Sequence, residues 1–193
     1  MPFDDFARLI LAQAFTNNIV LIQLLGVSAF FAFSRDLRQA LEVAVFSALL
    51  LLVTTAIGMP LLRWGLHPLG LRSLDLVLLA GLGAGLTRFF VVWVESHLPL
   101  SRRRHGVGLY LAGSNGAIIG FALQSSRAES PYVLTLIAAL GTSLGLALFL
   151  IAFTALRQRL DKIDAPTAFR GAPLLLISAG LVAMSLMALR LPA

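Results

Sequence analysis

The chain of 193 residues is 59% hydrophobic and 12% charged, with a mean hydropathy of +0.91, whereas soluble domains average about 45–50% apolar and about 25% charged residues. These values exclude an ordinary soluble domain and predict an integral membrane protein that lies in a lipid bilayer. The formal net charge is +6, but the basic residues occupy short gaps between apolar runs, so no soluble basic face for nucleic acid is expected. The sequence contains no cysteine, and it therefore offers no disulfide and no thiolate ligand for a metal ion or an iron–sulfur cluster.

Six apolar segments follow one another along the chain, each near the ~20 residues that a spanning helix needs. They are Leu9–Phe33, Ala40–Leu62, Ser73–Val94, Gly106–Gln124, Tyr132–Leu156 and Ala172–Leu189. The gaps between them carry Pro, Gly and charged residues, as the ends of helices do. The sequence therefore predicts an all-α protein with six transmembrane helices in a single transmembrane domain, residues 1–193.

The distribution of Lys and Arg predicts the orientation, because loops that face the cytoplasm carry the excess of basic residues. The first, third and fifth gaps hold nine of them: Arg35, Arg38, Arg102, Arg103, Arg104, Arg157, Arg159, Lys162 and Arg170. The opposite side holds five: Arg8, Arg63, Arg72, Arg127 and Arg190. Both termini are therefore expected on the outer side of the membrane.

Two polar interruptions fall inside apolar segments of the chain. Asn17 and Asn18 stand in the first segment, and Asn115 stands in the fourth, next to Gly116. Hydrocarbon offers no water to polar groups, so such breaks must be buried in protein or line a cavity. Matching breaks in two halves indicate an inverted repeat with a functional centre between the halves. We therefore expect a three-plus-three inverted repeat, residues 1–98 and 99–193, with broken helices one and four and a polar membrane centre at Asn17, Asn18 and Asn115.

The polar centre has a simpler interpretation as well. Asn side chains in membrane proteins also serve as interhelical hydrogen-bonding groups, which contribute only ~0.6–2 kcal/mol per contact. Two runs of small residues, Gly81–Gly85 and Gly141–Gly145, are typical of helices that pack closely. Arg88 lies within the third segment, where it is expected to extend toward the headgroups or toward Glu95.

The remaining ionisable residues give weak signals. Glu42 and Asp75 lie near predicted helix starts, where we expect them to be solvated, which makes them weak candidates for an ion path. The three histidines, His67, His97 and His105, fall in gaps and lack the spacing of metal ligands. No hydrolase, kinase, phosphate-loop or dinucleotide-binding motif is present. The residues alone thus predict a compact membrane protein of six helices with two of them broken.

Four stretches resemble the Nqr/Rnf family of membrane subunits. Residues Asn17–Phe30 resemble its first-helix signature NNFVLVxFLGxCPF, and Asn115–Gly120 resemble its TTNCAVLG stretch in helix four. Asp164–Gly171 and Ile177–Leu181 resemble its DVPxxFRG and ITAGLM ending. The likeness spans nearly the whole chain and favours the RnfA/NqrE branch over the RnfE/NqrD branch.

The resemblance implies a six-helix inverted repeat in the bacterial inner membrane. It implies pairing with an oppositely oriented RnfE/NqrD-like paralogue, and with other Rnf/Nqr subunits, in a redox-driven ion pump. It further implies electron transfer from a cytoplasmic donor, such as ferredoxin or a nicotinamide-linked subunit, to flavin- or cluster-bearing partners. The chain would then be one subunit of an ion-translocating oxidoreductase and would not be catalytic alone.

In the family, each of the two paired subunits supplies two cysteines to a shared [2Fe–2S] cluster. The matching positions here are Ser28 and Gly116, so we expect no cofactor to be bound by this chain alone. Two alternatives remain open on the residues: a scaffold that kept the fold without the cofactor, and a small secondary transporter with its polar centre at the broken helices. The coupling ion, Na+ or H+, and the electron donor and acceptor are not indicated by the sequence.

Overall fold

The structure, a computed structural model, describes residues 3–19, 37–97, 116–128, 130–161, 166 and 169–188. Within these ranges the chain is helical and contains no β-strand. The α-helices are α1 (Phe3–Leu11), α2 (Leu37–Pro60), α3 (Asp75–His97), α4 (Gly116–Arg127), α5 (Tyr132–Leu160) and α6 (Ala172–Ala188). A π-helical turn, Ala12–Thr16, follows α1.

Three helical stretches of the described ranges are long and apolar enough to cross a membrane. They are Leu37–Leu69, Arg72–Val94 and Tyr132–Leu160, and a shorter apolar helix covers Pro173–Ser185. These stretches correspond to the second, third, fifth and sixth predicted segments, and they agree with a helical membrane protein. Much of the first and fourth segments lies outside the described residues, so the count of six spans, the inverted repeat and the two broken helices stay predictions.

The packing of α2 along α5 forms the centre of the molecule. The buried positions of each helix recur every three or four residues, so one face of each meets the other. On α2 these positions include Val43, Ser47, Leu50 and Thr54, and α5 contributes a similar face that includes Leu146. The opposite face of α2 exposes apolar residues, including Leu41, Val45 and Leu49. Such a surface suits lipid, since the hydrocarbon tails solvate leucine and valine as well as a protein core does.

Helices α3 and α4 complete one side of this core. The rings of Phe46 on α2 and Phe90 on α3 meet edge to face, with centroids 6.4 Å apart and an interplanar angle of 85°. Ala117 and Ile118 at the start of α4 are buried in the same hydrophobic cluster as Ile19, the residue that follows Asn18. The chain segments next to the two predicted polar breaks therefore share one buried cluster.

A compact turn joins α2 to α3. A π-helical turn, Leu61–Leu66, follows Pro60 and leads into two short 3-10 turns, His67–Leu69 and Arg72–Leu74. Gly70 between them has φ +72°, a left-handed conformation that glycine adopts without steric cost. This reversal brings His67 back beside the first residue of α3. We call Leu61–Leu74 the α2–α3 turn.

Candidate functional site

The two asparagines of the first polar interruption have different environments. Asn17 ends the π-helical turn with φ −107° and ψ 29°, which lie outside the helical region, and its side chain is exposed on this chain. Asn18 is 1% exposed, and its Nδ2 donates a 2.7 Å hydrogen bond to the carbonyl oxygen of Ala14. The α-helix ends at Leu11, and the π-helical turn that follows has Asn17 as its C-terminal cap. Asn115, the third member of the predicted centre, lies outside the described residues.

Asn18 packs directly on helix α5. A Cβ added at Gly145 would lie 2.7 Å from Asn18 Nδ2 and 2.7 Å from the carbonyl oxygen of Ala14. A Cβ at Gly141 would lie 2.7 Å from the carbonyl oxygen of Ile10, one turn earlier. The Gly141–Gly145 run therefore brings the backbones of α5 and the first helix into contact, as the sequence predicted.

The other run of small residues behaves differently. A Cβ at Gly81, Gly83 or Gly85 would meet no heavy atom within 4 Å, so no close backbone approach occurs at these glycines among the described residues. Gly81, Gly85 and Arg88 are exposed along α3. In the most apolar part of this stretch 22% of the residues are buried, against 50% in each of the other two spanning stretches. The side chain of Glu95, the predicted partner of Arg88, lies outside the described set.

The positions that match the family's cluster ligands offer no thiolate. Gly116 is the first residue of α4 and is exposed, and it has no side chain to donate. Ser28 lies outside the described residues, and a serine oxygen is a hard donor that matches iron–sulfur chemistry poorly. The donor set at these two positions therefore does not fit a [2Fe–2S] cluster. Within the described ranges, no three His, Cys, Asp or Glu residues converge as metal ligands.

A second polar group, not recognised from the sequence, lies at the α2–α3 turn. Asp75, the first residue of α3, is only 6% exposed, so the prediction that it is solvated is wrong. His67 Nε2 lies 3.1 Å from Asp75 Oδ2, and Ser126 Oγ donates a 2.9 Å hydrogen bond to the same oxygen. Asp75 Oδ1 is buried and accepts no hydrogen bond. Three separate elements thus converge on one carboxylate.

The reason for this burial is the true length of α4. The fourth apolar segment was predicted to end at Gln124, but α4 continues to Arg127, and Ser125 and Ser126 are both buried. This extra turn covers the start of α3 and places a hydroxyl against Asp75. A polar pair of serines after an apolar run resembles a loop in sequence, so periodicity alone could not reveal the contact.

The three residue types are those of a hydrolytic triad, but their arrangement is not. In such a triad the serine hydroxyl bonds the imidazole, which takes its proton, and the carboxylate orients the imidazole from the other side. Here Ser126 and His67 both bond the carboxylate of Asp75. The serine is therefore not activated as a nucleophile.

Comparison with known proteins gives a consistent result. The family model described as "Rnf-Nqr subunit, membrane protein" matches residues 6–192. The chain is 31% identical over 184 residues to the A subunit of the ion-translocating oxidoreductase complex of Pseudomonas paraeruginosa, with 95% of each chain covered. It is 30% identical over 186 residues to the protein of the same name in Pseudoalteromonas translucida, and 29% identical over 183 residues to that in Alkalilimnicola ehrlichii, again with 95% of each chain covered. The family-model match over nearly the whole chain, together with relatives at 30–31% identity over 95% of each chain, shows that the chain belongs to the Rnf-Nqr family of membrane subunits.

Proposed function

We propose that this chain is the RnfA subunit of an Rnf-type ion-translocating electron transport complex. The observation that carries the proposal is the family match over residues 6–192, together with relatives of the same length that are named as that component of the complex. An end-to-end match favours a component of the same kind over a fragment reused in another protein. The chain is then a structural and ion-handling part of the complex and depends on other subunits for turnover.

The partner we propose is an RnfE/NqrD-like paralogue of opposite orientation. Asn17 is exposed on this chain, and a polar side chain at membrane depth needs protein or water around it. The buried cluster that joins Ile19 to Ala117 and Ile118 supports the idea that the segments next to Asn17 and Asn115 approach each other. A paralogue that covers both segments would bury the predicted polar centre and complete an inverted pair.

The absence of cysteine from the sequence refines the proposal. A [2Fe–2S] cluster needs four ligands, and a paralogue that supplies two cysteines leaves two positions, Ser28 and Gly116, without a thiolate. We therefore infer that this chain holds no cluster and that it preserves the scaffold and the ion path of the complex. This favours a redox-silent variant of the subunit over one that carries electrons itself.

The location that we propose is the bacterial inner membrane, with both termini in the periplasm. Its basis is the excess of basic residues in the odd-numbered gaps, nine against five, together with the tendency of cytoplasmic loops to be basic. The α2–α3 turn, with its buried Asp75, would then lie on the periplasmic side.

Co-purification tests the proposal. The tagged chain, expressed from its native locus and extracted in mild detergent, should bring down other Rnf-type proteins, including a homologous membrane subunit. Single cysteines introduced as Ser28→Cys and Gly116→Cys should crosslink to that homologue, and the native chain contributes no background thiol. An exposed position on α6, Leu176→Cys, is the matched control. Purification of the intact chain alone, with no crosslink at either position, would contradict the proposed complex.

A further inference from the structure

Asp75 carries the one buried carboxylate oxygen without a partner in the described part of the chain. Its Oδ2 accepts hydrogen bonds from Ser126 and, with Nε2 protonated, from His67, while Oδ1 accepts none. Buried polar atoms are almost always satisfied in native proteins, and each exception calls for an explanation such as an ion or a water molecule. The unbonded Oδ1 therefore indicates that the site binds a further group, such as an ion or a water molecule.

We propose that Asp75 Oδ1 and Ser126 Oγ bind a small monovalent metal cation, sodium in the first place. Ser126 uses its hydroxyl hydrogen toward Oδ2, so the lone pairs of its oxygen remain available to a cation. Carboxylate, hydroxyl and water oxygens are the hard ligands that such cations prefer. The role of the site, as an entry point for the transported ion, rests on the proposed function. The binding of the cation does not.

The surroundings of Asp75 stabilise a negative charge there. The residue begins α3, where the amide groups of the first turn and the helix dipole favour an anion. Two further donors converge on Oδ2. A negative charge that is held in place but left with one buried, unbonded oxygen is costly. A cation bound to Oδ1 removes that cost more completely than a neutral ligand does.

The ligand set favours a monovalent ion. The site offers one carboxylate, whereas divalent cations in proteins are usually held by several carboxylates or nitrogen ligands. None of the basic residues of the described ranges donates a hydrogen bond to Asp75 Oδ1, and Arg63 donates to the carbonyl oxygen of Ser130 instead.

The position of the site suits exchange of an ion with solvent. The side chain of His67 is 17% exposed and that of Asp75 is 9% exposed, so the imidazole lies between the carboxylate and the surface. The α2–α3 turn is at one end of the spanning stretches Leu37–Leu69 and Arg72–Val94. An ion at Asp75 would therefore be bound at the membrane edge, one side chain away from water.

The test is the thermal stability of the full-length protein purified in detergent, with sodium chloride replacing choline chloride at constant total salt and constant pH. A ligand that binds only the folded state raises the melting midpoint as its concentration passes its dissociation constant. We expect the midpoint to rise with the logarithm of the sodium concentration above the dissociation constant, both for the native protein and for Asp5→Asn, whose carboxylate is exposed. Asp75→Asn should abolish the rise, and Ser126→Ala should shift its onset to a several-fold higher sodium concentration.

The proposal is overturned if sodium gives no rise of the melting midpoint over choline in the native protein, or if Asp75→Asn shows the same rise with the same onset concentration. If Asp75→Asn does not fold, line broadening of the sodium NMR signal by the native protein decides: broadening that lithium reverses and Ser126→Ala weakens supports the site, and no broadening refutes it. A chain that binds sodium but co-purifies with no other Rnf-type protein would keep the site and refute the proposed complex.

Discussion

Gly145 of α5 lies against Asn18 so closely that an added Cβ would be 2.7 Å from Asn18 Nδ2. The same atom would be 2.7 Å from the carbonyl oxygen of Ala14 and 2.9 Å from its Cα. Asn18 Nδ2 in turn donates to that carbonyl. The absence of a side chain at residue 145 thus allows a polar group at the predicted break to be buried and bonded at the same time.

The first prediction is that Gly145→Ala destabilises the protein. The new methyl group would overlap backbone atoms of Ala14, which cannot move as a flexible side chain can. Overpacking of this kind typically costs about 1–3 kcal/mol, so the melting midpoint of the purified protein should fall. Gly83→Ala is the matched control, because its Cβ would meet nothing within 4 Å, and alanine is the better helix former by about 0.5–1 kcal/mol. Equal effects at the two glycines would contradict the close approach.

How far the sequence predicted this site depends on the kind of signal. The burial of Asn18 and the close packing at Gly141–Gly145 were predictable, because both follow from residue types that hydrocarbon tolerates only in particular roles. The lack of a close backbone approach at the glycines of Gly81–Gly85 was not predictable, since a run of small residues does not say which helix, or which chain, packs on it. Among the described residues, Leu82 of this run faces Gly58, but an added Cβ at Gly81, Gly83 or Gly85 would meet no heavy atom within 4 Å.

The cluster at Asp75 shows a second limit. The local sequence pattern predicted the start of α3 to within two residues. It did not predict the burial of Asp75, because residues at helix starts are usually solvated. Burial arises from α4, whose last turn reaches Ser126, and from Gly70, which turns His67 back. These contacts join residues far apart in the chain, and no local pattern encodes them.

The second prediction compares two neighbouring threonines on α2. Thr54 and Thr55 are both 0% exposed, but Thr55 Oγ1 donates to the carbonyl oxygen of Leu51, whereas Thr54 Oγ1 has no hydrogen-bond partner. Thr54→Val removes an unsatisfied hydroxyl at nearly constant shape and should raise the melting midpoint. Thr55→Val removes a satisfied one and should leave it unchanged or lower it. The free energies of unfolding of the two variants should differ by about 1 kcal/mol. A lower melting midpoint for Thr54→Val than for Thr55→Val would contradict the unsatisfied hydroxyl at Thr54.

The third prediction concerns orientation. Reporter fusions at Arg8 and at Arg103 should report opposite sides of the membrane, periplasmic at Arg8 and cytoplasmic at Arg103, because the odd-numbered gaps carry nine of the basic residues against five. A periplasmic signal at Arg103 would reverse the proposed topology and move the Asp75 cluster to the cytoplasmic side.

The last prediction concerns the iron–sulfur cluster. The chain has no cysteine, and Gly116 begins α4 without a side chain. His67, one of the three histidines that could serve a Rieske-type site, hydrogen-bonds Asp75 at the α2–α3 turn. Iron analysis and the reduced-state paramagnetic resonance spectrum of the purified complex should therefore show no [2Fe–2S] centre at the Ser28/Gly116 positions.

Ser28→Cys combined with Gly116→Cys is the smallest change that could create the centre, since a paralogue with two cysteines would then complete four thiolates. The double variant Val133→Cys with Leu176→Cys adds the same number of thiols at exposed positions and should gain no signal. A stoichiometric cluster that the native complex holds at the Ser28/Gly116 positions would mean that partner subunits supply all of its ligands, and the inference of a redox-silent subunit would then be wrong.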